Sequence, residues 1–121
     1  MQKRILVVED EAALRLAYEE ELKVEGYEVL TARNGKEALS RLKREKPDII
    51  ILDIIMPEMG GMEALIRILG EERNIPIILH TSYPEYKRDL MSWGADAYIM
   101  KSADLKELKE KVRELLEKTR T

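Results

Sequence analysis

The stretch Pro47-Asp48-Ile49-Ile50-Ile51-Leu52-Asp53 sets four aliphatic residues in a row between a proline–aspartate turn signal and a single acid. A strand with one wet face alternates apolar and polar residues, whereas a short unbroken apolar run fits a strand buried on both faces. Helices covering the two sides of a parallel sheet bury strands in this way. Runs of similar texture recur at Arg4 to Val8, Glu28 to Ala32, Ile77 to His80 and Ala97 to Met100. Between them the apolar residues change to helical spacing: Leu14, Ala17, Tyr18 and Leu22; Ala38, Leu39 and Leu42; Met62, Leu65, Ile66 and Leu69; Tyr86, Leu90 and Met91. The clearest stripe is the last, Leu105, Leu108, Val112, Leu115 and Leu116. Gly26, Asn34-Gly35, Gly60-Gly61, Gly70, Pro76, Pro84 and Gly94 punctuate the alternation. Five βα units in 121 residues leave about 24 residues for each, enough for a strand, a helix and two short loops. The expected fold is α/β: a doubly wound sandwich of five parallel strands between two layers of helices, one domain over residues 1–121.

Composition narrows the chemistry. The 21 basic and 24 acidic residues give a net charge of -3, and both signs are interleaved rather than blocked. With a pI near 5.4 and no basic cluster, direct nucleic-acid binding by this segment is not expected. The absence of cysteine removes disulfides, thiolate metal sites and thiol catalysis. The apolar run after Lys3-Arg4 stops at Val8, too short for a signal peptide, and no run approaches the ~20 residues of a membrane span. The expectation is a soluble cytoplasmic protein with no membrane partner.

In a parallel sheet all strands point one way, so the residues following the apolar runs gather at the carboxyl edge, where open α/β sheets bind ligands. Here those residues are Glu9, Asp10 and Glu11 after the first run, Asp53 after the third, Thr81 and Ser82 after the fourth, and Lys101 after the fifth. Carboxylates crowded together repel unless a cation or protons intervene. An all-oxygen donor set suits a hard divalent ion, Mg²⁺ or Mn²⁺, better than Zn²⁺. A lysine and a hydroxyl beside metal and carboxylate complete what phosphoryl transfer requires: an oxygen nucleophile, a metal, and a fixed positive charge for the phosphoryl oxygens. Asp53, alone at its strand end, is the candidate nucleophile.

The ordered set Glu9-Asp10, Asp53-Ile54-Ile55-Met56-Pro57-Glu58-Met59-Gly60-Gly61, Thr81, and Gly94-Ala95-Asp96-Ala97-Tyr98-Ile99-Met100-Lys101 resembles the receiver domain of two-component response regulators along the whole chain. The resemblance implies a flavodoxin-like fold with strand order 2-1-3-4-5, as in chemotaxis receivers. It implies phosphoryl transfer to Asp53 from a histidine kinase or phosphotransfer protein. It also implies Mg²⁺ held directly by Asp10, Asp53 and the backbone carbonyl of Ile55, with Glu9 acting through metal-bound water. Lys101 would pair with the phosphoryl group. Thr81 would move to hydrogen-bond it and let Tyr98 turn inward. The face of the fourth helix, fifth strand and fifth helix would carry the output to a downstream effector, an attached output domain or a second copy in a phosphorylation-dependent homodimer. By the same resemblance Ile55 and Tyr83 overhang the site, and neither can orient water for dephosphorylation as a carboxylate or amide could.

Some positions depart from the commonest family pattern. The acid pair is Glu-Asp, Lys101 precedes Ser102 rather than proline, so a trans peptide is expected there, and Ser82 stands where Ala or Gly is usual. His80 occupies an apolar position and has no assigned role beyond a packed strand-end histidine. Two alternatives of other classes are a flavodoxin-like FMN carrier and an Asp-nucleophile phosphotransferase or phosphohydrolase. The three acids after the first run would repel a flavin phosphate. Ile55 stands where such an enzyme would need its acid/base, so the chain is read as a switch rather than an enzyme.

Overall fold

The computed structural model of the chain describes residues 2–53, 61–71, 74–102 and 104–118. Strands β1 (Arg4–Val8), β2 (Glu28–Ala32), β3 (Ile49–Leu52), β4 (Ile77–Thr81) and β5 (Ala97–Met100) alternate with helices α1 (Ala12–Val24), α2 (Gly35–Glu45), α3 (Gly61–Glu71), α4 (Lys87–Trp93) and α5 (Lys106–Lys118). All four strand pairings are parallel and the sheet order is β2-β1-β3-β4-β5, the order the resemblance implied.

The strand side chains divide by parity. Leu6, Val8, Ile50, Leu52, Ile77 and Leu79 pack with Ala38 and Leu42 of α2, Leu65 and Ile68 of α3 and Leu90 of α4. Ile5, Val7, Ile49, Ile51, Ile78 and Ile99 pack on the other side with Tyr18 and Leu22 of α1 and Leu108, Val112 and Leu116 of α5. The unbroken aliphatic run of β3 is therefore buried on both faces, with Ile49, Ile50, Ile51 and Leu52 all at 1% exposure or less.

Local chemistry sets the helix ends. Asn34 caps α2: its side-chain oxygen accepts the Glu37 N–H at 2.9 Å, and the Glu37 carboxylate accepts the Arg33 N–H at 2.8 Å. Asp104 accepts the Lys106 N–H at 2.9 Å at the start of α5. Two boundaries differ from the sequence reading. Thr81 is the last residue of β4, opposite Met100, rather than the first residue beyond it. A 3₁₀ turn, Pro84–Tyr86, precedes a short α4, because Pro84 suits a first helical position and Gly94 ends the helix early. Helix α1 starts at Ala12 with Glu11 as its cap, so the acids precede its first turn. No cis peptide occurs among the described residues, and the Lys101–Ser102 bond is trans as expected.

Two glycines make opposite tests of this backbone. Gly94 has φ +128°, and a Cβ there would lie 3.2 Å from Leu69 Cδ1. Gly94→Ala is expected to destabilise the fold by about 1 to 3 kcal/mol. Gly70, in α3 with open space around its Cα, should gain about 0.5 to 1 kcal/mol as alanine. Urea midpoints of the two variants check both signs.

Candidate functional site

Register brings the acids together. Val8 of β1 is paired with Leu52 of β3, so the next residues, Glu9 and Asp53, emerge side by side. The Asp53 N–H donates to the Val8 carbonyl at 3.1 Å, and the Glu9 N–H to the Ala32 carbonyl at 3.0 Å. One carboxylate oxygen each from Glu9, Asp10 and Asp53 falls within 4.8 Å of the others. Glu9 and Asp53 are buried, at 2% and 5% exposure, while Asp10 is exposed.

Lys101 joins this group from the far side of the sheet. Its backbone N–H donates to the Thr81 carbonyl at 2.7 Å, which fixes where the side chain leaves β5. Its Nζ lies 2.9 Å from Glu9 Oε1 and 3.2 Å from Asp53 Oδ2. The other Glu9 oxygen accepts the Glu11 N–H at 3.1 Å. Burial raises the Glu9 carboxyl above the usual carboxylate range; the Asp53 charge adds to this, and Lys101 and the Glu11 N–H oppose it. Burial alone would lower the Lys101 ammonium, but its hydrogen bond to Glu9 and the charges of Asp53 and Glu9 outweigh that and hold it above its ordinary value.

The cleft over these groups, about 260 Å³, is lined by Glu9, Asp10, Glu11, Asp53, Ser82, Tyr83 and Lys101. Thr81 lies behind that lining, fully buried, and its hydroxyl oxygen accepts the Tyr83 N–H at 3.2 Å. Tyr98 is half-buried against the core on the α2, α3 and α4 side and donates its hydroxyl to the Tyr83 carbonyl. The backbone of Tyr83 thus contacts both residues proposed as a switch. Ile55 lies outside the described residues. A larger cleft of about 360 Å³ at the opposite edge is lined by Gln2, Arg4, Glu28, Lys46 and Asp48. There Arg4 pairs with Glu28 at 3.4 Å, and the Arg4 backbone N–H donates to Asp48 at 2.7 Å.

Two features had no role assigned from the sequence. Arg15, one turn into α1, donates to the carbonyls of Glu9 at 2.8 Å and Asp10 at 3.3 Å, bracing the acidic corner. His80, 3% exposed, has Nδ1 2.5 Å from the hydroxyl of Tyr18. Burial, with the Lys101 charge, pushes His80 down to about 4, so the ring is neutral near pH 7. Tyr18 is raised above its ordinary value by burial and by the neighbouring acids, so its hydroxyl donates and Nδ1 accepts.

An all-oxygen cluster of carboxylates at a strand edge fits a hard divalent cation. The profile of the response regulator receiver domain matches residues 5–113, and the chain belongs to that family. It is 40% identical over 119 residues to the probable transcriptional regulator ycf27 of Porphyridium aerugineum, covering 96% of this chain and 49% of that protein. The chain spans about half the length of the curated relatives it matches. The structure of the response regulator TrrA of Thermotoga maritima in complex with Mg²⁺ and BeF superposes with a TM-score of 0.89 at 48% identity, over 94% of this chain and 99% of that one. TrrA in complex with the histidine kinase ThkA gives 0.87 at 48% identity, over 95% and 99% of the two chains. Among the described residues no helix is long and apolar enough to cross a membrane.

A neutral buried histidine has a stability signature. Between pH 6.5 and about 4 the unfolded chain binds a proton at His80 that the folded chain refuses. Stability from this group is complete above the unfolded value and is lost as pH falls through that window, by roughly 3 kcal/mol. Urea unfolding of the wild type and of His80→Gln at the two ends of the window should show the wild type losing more by this order. Equal losses would mean that the folded protein takes up the proton.

Proposed function

We propose that the chain is the phospho-accepting switch of a two-component system, taking a phosphoryl group from a histidine kinase or phosphotransfer protein onto Asp53. The observation that carries this reading is the buried Asp53 carboxylate at a strand end, 3.2 Å from Lys101 Nζ and grouped with Glu9 and Asp10. The complexes of TrrA with Mg²⁺ and BeF and with ThkA support it by similarity. An oxygen of Asp53 attacks the phosphorus, the bond from phosphorus to the donor nitrogen breaks, and an aspartyl phosphate forms. Mg²⁺, with Mn²⁺ as an alternative, supplies charge neutralisation on the phosphoryl oxygens.

Asp10, Asp53 and the Ile55 carbonyl would hold the ion. Both Glu9 oxygens are engaged, by Lys101 and by the Glu11 N–H, which favours its acting through water. Lys101 would exchange its contact with Asp53 for a phosphoryl oxygen. Thr81 would give up the Tyr83 N–H for another, and Tyr98 would follow it inward. Movement there would alter the surface of α4, β5 and α5, where Trp93 and Met100 are already exposed. That surface would address a downstream effector, an attached output domain or a second copy. Residues 1–121 would act as one cytoplasmic receiver domain that switches a partner and does not turn over a substrate.

Incubation with a small phosphodonor and Mg²⁺ should add the mass of one phosphoryl group, absent in Asp53→Ala; a gain persisting in that variant would exclude Asp53 as acceptor. Mg²⁺ alone should stabilise the fold by about 1 to 3 kcal/mol at saturation. Asp10→Asn should remove most of that rise in melting temperature.

A further inference from the structure

Four polar or charged side chains are buried among the described residues: Glu9, Asp53, Thr81 and His80. The first three belong to the phosphoryl site, and His80 is covalently next to Thr81. Among the described residues the pairing of β4 with β3 runs to Leu52 opposite Leu79. His80 and Thr81 extend past it, and the strand pairing they keep is with Ile99 and Met100 of β5. On the other side, Tyr18 of α1 reaches His80 with a 2.5 Å hydrogen bond and a tilted ring contact at 5.3 Å. The start of the same helix holds the acidic corner, through the Glu11 N–H on Glu9 and Arg15 on the Glu9 and Asp10 carbonyls. Helix α1 therefore touches both halves of the site, the carboxylates at one end and the tip of β4 two turns further along.

We propose that Tyr18 and His80 are positioning residues of the phosphoryl site, their hydrogen bond fixing the tip of β4, and with it the Thr81 hydroxyl, relative to Glu9, Asp10 and Asp53. This rests on the phosphotransfer reading above. A tip freed to shift by even part of an ångström would misplace the hydroxyl that meets the incoming phosphoryl group, and reaction rates are steep in such displacements. The acids are held by β1, β3 and the first turn of α1, so the metal site is left intact.

The test compares wild type, Tyr18→Phe, His80→Leu, the double variant and His80→Gln, each as the full chain. For each, the rate of phosphorylation by acetyl phosphate with saturating Mg²⁺ is measured well below the melting temperature, beside Mg²⁺ affinity by titration calorimetry. Tyr18→Phe and His80→Leu should each slow phosphorylation about threefold to tenfold. The double variant should be no slower than the slower single one, because both remove the same contact. His80→Gln, which retains an acceptor for the Tyr18 hydroxyl, should recover most of the rate. Mg²⁺ affinity should stay within about twofold throughout. Wild-type rates in variants that merely melt earlier would overturn the proposal, and so would a parallel loss of Mg²⁺ affinity, which indicates general distortion. If one single variant fails to fold, the other carries the same comparison. A wild type that takes no phosphoryl group at all would instead overturn the underlying phosphotransfer reading.

Discussion

A parallel sheet covered by helices on both faces has nowhere to put a charged side chain except at the ends of its strands. In this chain the constraint is severe, because Ile5 to Leu6, Ile49 to Leu52 and Ile77 to Leu79 are almost wholly withdrawn from water. Burying an unpaired charge among them would cost several kcal/mol. The strand lengths therefore decide where chemistry can begin. Strand β1 stops at Val8 and β3 at Leu52, and since these two are register partners, the first acid after each is delivered to the same corner. The helices contribute by covering the sheet and, in α1, by bending polar contacts back over that corner through Glu11 and Arg15.

The corner is an electrostatic balance. Glu9 and Asp53 are buried side by side, an arrangement that raises the cost of charging both, and Lys101 crosses from β5 to contact each. Buried ion pairs seldom add net stability, because desolvation offsets their attraction. Such a cluster is better suited to exchanging partners than to holding the fold. A divalent cation or a phosphoryl group entering the cleft would meet carboxylates and an ammonium already arranged, with little reorganisation required. Tyr83 links this balance to the surface, its N–H on Thr81 and its carbonyl on Tyr98. A change at Thr81 is thus one residue's backbone away from Tyr98, the β5 tyrosine on the α4 side of the sheet.

The five strands, their helices and the candidate site were legible in the sequence because each rests on a local rule. Unbroken aliphatic runs mark strands buried on both faces, and parallel strands send their following residues to one edge. Boundaries were less legible. Thr81 reads as a loop residue, since a polar side chain after an apolar run suggests exit to solvent, yet it keeps its pairing with Met100 and is fully buried. The 3₁₀ turn at Pro84–Tyr86 was also invisible, because a proline at that place is compatible with either kind of helix start.

What the sequence by itself determined is the inventory: which residue types stand at the strand ends, and that acids, a lysine and a hydroxyl must meet on one side of the sheet. What only the tertiary structure decided is how they meet. That Lys101 spans from β5 to both Glu9 and Asp53 depends on sheet order, in which β5 is far from β1 along the edge. That His80 is bonded to Tyr18, 62 positions earlier in the chain, depends on how α1 lies across the sheet. A lone histidine in an apolar run carries no mark of its partner, because hydrogen bonds between distant segments are set by packing in three dimensions and leave no spacing in the sequence.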